Sequence, residues 1–488
     1  MTSAILAIDQ GTTNTKAVLV APSGEIVARG SSPVGIEYPQ PGWVEQNPLR
    51  IWESVLEAIA ACLDAAPGTE ILAVALSNQR ESVTVWDENG EPLGPVISWQ
   101  CRRTAETCAE LAAAGLGPWV QALTGLPLDP MFPGLKMRWL LDRVPSGCSP
   151  RLGTVDAWLL HCFTGGAVHA CDTSNAARSQ LFDIRRQVWS EELCAVFGVP
   201  IAALPEVHDS ASRFGATLGV RGIRDGVPIC SAIGDSHAAL FGHGAFGPGD
   251  GKVTFGTGSS IMVTLPDCVA PDGGITTTIA WSIGGVPTYA LEGNILVSAA
   301  SLPWMAEMLG LPDVQALTEL AERAEPGGPG FVPAFVGLGA PHWAADARAL
   351  FCGITFGTTR AQMARAVTDS IAFQVRDVFS AIATQTPAPL GNLYSDGGPS
   401  RNTFLMQCVA DILDHPLIQC DTPEASALGA AYLAGLALGL WADLETISAM
   451  PRSRAALKPR ASDAAARLAV WQDAVRRSTL PSLHDKNE

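Results

Sequence analysis

Two aspartates stand where an apolar run gives way to small polar residues. Asp9 closes the run Ala4 to Ile8 and opens the turn Asp9-Gln10-Gly11-Thr12-Thr13-Asn14-Thr15. Asp235 follows the run Pro228 to Ala232 within Gly234-Asp235-Ser236-His237 and precedes the helix-like Ala238 to Phe241. A carboxylate between a strand and a helix is well placed to accept a proton. The plain structural alternative is a cap, of the helix for Asp235 and of the strand end for Asp9. A third charged group, Arg80-Glu81, lies in Ser77-Asn78-Gln79-Arg80-Glu81 between two strand-like runs, where it can face a cleft. The turn after Asp9 is rich in Gly and Thr, so it can aim backbone N–H groups and hydroxyls at phosphate oxygens. The pattern returns in the second half. Lys252 to Phe255 is followed by Gly256-Thr257-Gly258-Ser259-Ser260 and by Ile261 to Thr264. Two such units could clamp the phosphates of one nucleotide.

The elements that must position these residues follow from periodicity and punctuation. Ala4 to Ile8 and Lys16 to Val20 read as strands, and Pro22-Ser23-Gly24 turns the chain into a third at Glu25 to Ala28. Asn47 and Pro48 open a helix with Trp52, Val55, Leu56, Ile59 and Leu63 on one face. Leu72 to Leu76 and Leu393 to Ser395 read as buried strands. The second of these runs into Asp396-Gly397-Gly398 and a helix from about Asn402. Leu428-Gly429-Ala430-Ala431 is small enough to pack a helix closely against a nucleotide or a sheet. Phe246-Gly247-Pro248-Gly249-Asp250-Gly251 marks the midpoint and a domain boundary.

Composition bounds the rest. The 488 residues suit two domains, and 47% hydrophobic content is globular. A net charge of -17 with 31 basic residues disfavours nucleic acid as a partner. The twelve cysteines form no CxxC pair, which argues against a zinc site and for a reduced, cytoplasmic setting. The opening strand lacks the basic region of a secretion signal. The longest apolar stretch, Ala425 to Trp441, reads as a buried helix, so no membrane insertion is expected. A homodimer is the general expectation for such a chain.

Together these motifs are similar to those of the FGGY carbohydrate kinases, and within them most to the glycerol kinases. The similarity runs from about Ala4 to about Trp441. It is carried by Ile8-Asp9-Gln10-Gly11-Thr12-Thr13, by Asn78-Gln79-Arg80-Glu81 and by Trp99-Gln100-Cys101-Arg102-Arg103-Thr104. It continues through Met131 to Asp142 around Lys136 and Trp139, Gly256-Thr257-Gly258, Ala349 to Asp369, and Asp396-Gly397-Gly398. The resemblance implies an α/β chain of two actin-like (ribonuclease H-like) ATPase domains flanking a catalytic cleft. The N-terminal domain would cover 1–247 and the C-terminal domain 248–488.

It also implies ATP-dependent phosphorylation of a terminal hydroxyl of a small polyol or sugar, with Mg²⁺. Asp235 is then the base, and Asp9 and Asp235 attend the metal. Arg80, Glu81 and Asp235 bind adjacent hydroxyls, and Trp99 packs on the substrate's carbon face. Thr12, Thr13, Asn14 and Lys16 hold phosphates from one side, Gly256 and Thr257 from the other. Gly398 and Asn402 lie against the adenosine, although Asn402 also reads as a helix cap. Glycerol kinases usually carry tyrosine at Met131 and glutamine at Ser236, and aspartate at Ala344. The first two departures bear on the substrate pocket. They open it to a longer acceptor such as xylulose, ribulose or erythritol, with His237 and Ser260 as further candidates for its wall. An actin-like assembly protein would explain the phosphate turns but not Arg80, Glu81 and Trp99 together. A silent sugar sensor is disfavoured by the intact Asp9 and Asp235. A nicotinamide dehydrogenase is disfavoured because GxGxxG is missing from the opening turn.

Overall fold

The computed structural model describes residues 3–480 apart from 326, 422, 423, 451 and 461–463. Contacts divide the chain into two units. The first holds Met1–Phe246, Thr277–Ala290 and Glu424–Pro451; the second holds Gly247–Thr276, Leu291–Pro423 and Arg452–Glu488. The glycine-rich midpoint is therefore a boundary at Phe246/Gly247, but the units are not continuous in sequence as domains 1–247 and 248–488 would be. The reason is packing. The helix Ala425–Leu438 lays small residues against the helix Asp235–Gly242. A Cβ on Gly429 would stand 1.8 Å from the Ala238 carbonyl oxygen, so only glycine allows this approach. Ser231 Oγ donates to the Ala430 carbonyl at 2.8 Å, joining the same helix to the sheet. The small-residue run thus serves helix and sheet packing within the first unit.

That unit is built on a six-stranded sheet. Its order is Ala211–Ala216, Pro228–Gly234, Glu70–Asn78, Ser3–Gln10, Asn14–Val20, Ile26–Pro33. Ser3–Gln10 is wholly apolar from Ala4 to Ile8 because it is central and covered on both faces. It pairs antiparallel with Asn14–Val20 and parallel with Glu70–Asn78, which in turn runs parallel to Pro228–Gly234. In register, Gln10 and Gly234 both stand opposite Asn78. Three parallel strands therefore end at one level. The helix Pro48–Ala65 starts as its sequence predicts, with Asn47 Oδ1 accepting from the N–H groups of Leu49 and Arg50.

The second unit repeats the plan around the strand Gly251–Phe255. Gly251–Phe255 pairs antiparallel with Ser259–Leu265 and parallel with Leu393–Asp396, which runs parallel to Leu417–Cys420. Its long helix Arg360–Ala383 opens on a capping box between Thr359 and Gln362. Among the described residues no helix is long and apolar enough to cross a membrane.

Candidate active site

The common end of the three parallel strands gathers the charged groups of the first unit. Asp9 is the penultimate residue of its strand, and Ser77 Oγ, on the neighbouring strand, donates to Asp9 Oδ1 at 3.0 Å. Burial raises the Asp9 carboxyl from its usual 3.8 to about 6. The nearby charge of Asp235 adds to this, while Lys16 and the Ser77 hydrogen bond oppose it. Lys16 stands opposite Asp9 on the return strand, and its ammonium pairs with Glu424 at 3.0 Å. The expected phosphate-neutralising lysine is therefore already engaged with a carboxylate from the far end of the sequence.

Asp235 is the first residue of its helix, three residues earlier than the apolar pattern suggested, and the cap position falls to Gly234. Its Oδ1 accepts from the Ser236 N–H at 2.6 Å and lies 3.5 Å from Arg80 Nε. The side chain is 38% exposed, against 10% for Arg80, so the guanidinium is held below an accessible carboxylate. The Ser236 hydroxyl is buried and makes no protein hydrogen bond among the described residues. Glu81 is buried with φ of +60°, and Arg178 Nε donates to its Oε1 at 2.6 Å.

The turn itself is tied down by amides and an indole. Thr12 Oγ1 donates to Gln79 Oε1 at 3.3 Å and accepts from Trp99 Nε1 at 3.0 Å. Gln79 Nε2 donates to Gln10 and Gln46. The Thr12 hydroxyl is thus committed to the protein, while the backbone N–H groups of Thr12 and Thr13 have no protein acceptor among the described residues. Trp99 remains 37% exposed. It and Met131 are joined by Lys136, whose buried ammonium donates to the carbonyls of Ser98 at 2.9 Å, Trp99 at 3.4 Å and Met131 at 2.6 Å. Burial lowers that ammonium to about 7.

In the second unit the turn after Phe255 is closed by Gly256 N–H donating to the Gly258 carbonyl at 2.8 Å. The N–H groups of Thr257 and Gly258 are without a protein acceptor among the described residues. A Cβ on Gly258 would meet the Ile295 carbonyl at 2.3 Å. Gly398 and Asn402 line a cavity of about 490 Å³ with Leu302, Val314, Thr318 and Pro399. Gly398 is open: a Cβ there would meet nothing within 4 Å. The Asn402 side chain is spent: Oδ1 caps the Leu405 N–H at 3.1 Å and Nδ2 donates to Thr318 at 2.9 Å. Asn402 shapes the wall as a helix cap. Ser260, a candidate for the substrate wall, donates to Glu292 at 3.2 Å.

Gln46, Arg178 and Glu424 are the site residues that sequence reasoning missed. Gln79 stood inside a recognised motif, but Gln46 has no local signature. Arg178 had one faint signal, a lone charge in the small-residue stretch Ala176 to Ser179. As for a metal, Asp9 and Asp235 suit one. The charge of Asp235 makes ionisation of Asp9 harder, a conflict that a hard divalent cation relieves.

Comparisons with known proteins identify the family. The model of the FGGY family of carbohydrate kinases, N-terminal domain, matches residues 4–242, and that of the C-terminal domain matches 251–438. An apulose kinase of Pectobacterium atrosepticum is 44% identical over 98% of this chain and 99% of its own. A glycerol kinase of Symbiobacterium thermophilum is 44% identical over 90% of each. The crystal structure of Plasmodium falciparum glycerol kinase with ADP superposes with a TM-score of 0.92 at 30% identity, covering 99% of both chains.

Proposed function

The chain belongs to the FGGY family of carbohydrate kinases, and from that premise we propose that its acceptor is a polyol or ketose longer than glycerol. The reaction class is that of the family: a phosphoryl group passes from ATP to an alcohol of a sugar or polyol. The observation that carries the substrate reading is the buried Ser236 hydroxyl, adjacent to Asp235 and without a protein partner among the described residues. A buried hydroxyl left unpaired is costly, and an additional substrate hydroxyl would pair with it. Met131 supplies an apolar contact and leaves room for carbon instead of a phenol. The relative named for apulose favours the same reading. Glycerol is the second reading, supported by Arg80, Glu81, Asp235 and Trp99, which suit a vicinal diol of any length.

In this proposal Asp235 accepts the proton of the attacking hydroxyl as the new O–P bond forms and the bond to ADP breaks. Arg80 orients Asp235 and donates to a neighbouring hydroxyl. Glu81 accepts from that hydroxyl, and Trp99 covers the carbon face. Thr12 and Thr13 offer their backbone N–H groups to phosphate oxygens, as do Thr257 and Gly258 in the second unit, while Gly398 admits the adenosine. Asp9 and Asp235 would hold Mg²⁺, which when bound offsets charge on the phosphates. The free state of all twelve cysteines supports a reducing, cytoplasmic setting.

An ADP-release assay over glycerol, erythritol, xylitol, D-xylulose and D-ribulose tests the substrate. A four- or five-carbon acceptor is expected to have the highest kcat/KM. If glycerol exceeds the others, the longer-acceptor reading is wrong.

A further inference from the structure

The short helix Thr173–Ala176 and the residues flanking it are buried throughout, yet almost every side chain there is polar. Asp172 caps the helix, accepting from the N–H groups of Ser174 and Asn175 at 2.9 Å each, and takes the Ser174 hydroxyl at 3.0 Å. Ser174 Oγ in turn accepts the N–H of Gly234 at 2.9 Å, one residue before Asp235. Asn175 and Asn78 exchange amide hydrogen bonds of 2.9 and 3.1 Å at the end of the strand that leads to Arg80 and Glu81. Arg178, with its side chain fully buried, meets Glu81 at 2.6 Å and lies 5.2 Å from the ring centroid of Phe132. One turn of chain therefore reaches both strand ends that carry the acceptor-binding charges.

Glu81 needs such support for two reasons. Its left-handed backbone is unfavourable for a residue with a Cβ and persists only where surrounding structure over-determines it. Its carboxylate is buried, and a buried charge must be paired. An ion pair of this kind adds little to stability compared with well-packed apolar residues, so its retention beside the site calls for another explanation.

We propose that Arg178 is a positioning residue for acceptor recognition. It acts through Glu81, and the Asp172–Arg178 segment holds Glu81 and Asp235 in their mutual geometry. The proposal rests on the reading that Glu81 binds the acceptor. A guanidinium offers Nε and two further nitrogens in a rigid fork, whereas lysine offers a point charge on a flexible stem. Arg178→Lys should therefore keep the charge and lose the geometry.

The test is a double-variant cycle on the fastest-reacting acceptor of the five above, using Glu81→Gln, Arg178→Lys and both together. Steady-state kinetics are measured against acceptor and against ATP, with thermal unfolding as control. Arg178→Lys should lower kcat/KM for the acceptor roughly 10–100-fold, as loss of a supporting contact does, and change the KM for ATP less than about twofold. In the Glu81→Gln background the same substitution should cost less than about threefold, because the partner through which it acts is gone. An equal loss in both backgrounds, or a KM for ATP that rises in parallel, overturns the role of Arg178. An unchanged acceptor kcat/KM in Glu81→Gln itself overturns the underlying assignment of Glu81 instead.

Discussion

The hairpin Ser3–Gln10 with Asn14–Val20 and the hairpin Gly251–Phe255 with Ser259–Leu265 have the same backbone plan. Each has an antiparallel return strand, a parallel neighbour and a turn with two consecutive N–H groups left without a protein acceptor among the described residues. Around the first turn stand Asp9, Lys16, Asp235, Arg80 and Glu424, linked by ion pairs and by a carboxyl pushed up to about 6. In the second, Gly256, Thr257 and Gly258 carry no charge, and Gly258 lies against the backbone of Ile295 and Leu296. A hairpin of this kind thus presents free N–H donors from its own backbone. What differs is what neighbouring strands bring to that end: Arg80, Glu81 and Asp235 in the first unit, and the single buried Asp396, opposite Thr254, in the second.

The largest test of the contrast is Asp235→Asn. It should lower kcat about 10²–10⁴-fold, the usual contribution of a positioned acid–base group. ATP binding, followed by calorimetry, should persist. Turnover near that of the parent would erase the division of labour between the turns. Next comes Asp9→Asn, read by thermal unfolding from pH 4 to 8. The folded Asp9 holds its proton to about pH 6 and the unfolded one to about 3.8, so the native state binds more protons between these values. Stability of the parent should fall as pH rises through that window. Above it the Asn variant should be the more stable, by on the order of 3 kcal/mol at most. A pH-independent difference would mean that the first turn is not charged as described.

Gly258→Ala probes the second turn. Its Cβ would press on backbone atoms that cannot swing away, so a loss of about 1–3 kcal/mol in urea unfolding and a raised KM for ATP are expected. Gly256→Ala meets its nearest atom at 3.5 Å and should be nearly silent in both. Equal effects of the two would break the assignment of backbone crowding to Gly258. The smallest effect is Asn402→Ala. Loss of the cap should cost about 1 kcal/mol of stability, with the KM for ATP moved less than by Gly258→Ala. A larger change in the KM than in stability would return Asn402 to direct contact with the nucleotide.

Residue types at strand ends were legible from the chain alone. An apolar run that stops at Asp9, Arg80-Glu81 or Gly234-Asp235 marks the end of a buried strand by local chemistry, and the Gly and Thr turns announce themselves in the same way. The helix from Pro48 and the helix after Asn402 were visible because their caps lie within three residues of the groups they serve. Tertiary structure decided the rest. Only the parallel register brings Gln10, Asn78 and Gly234 level, and so brings Asp9 near Asp235. Lys16 finds Glu424 across 408 positions, and Glu81 finds Arg178 across 97. The helix Ala425–Leu438 joins the first unit because Gly429 fits under Ala238. Hydrophobic period and capping act over a few residues and leave a trace in sequence. Pairings of buried charge and close helix contacts depend on which surfaces meet, and that is decided only when the sheet and its helices pack.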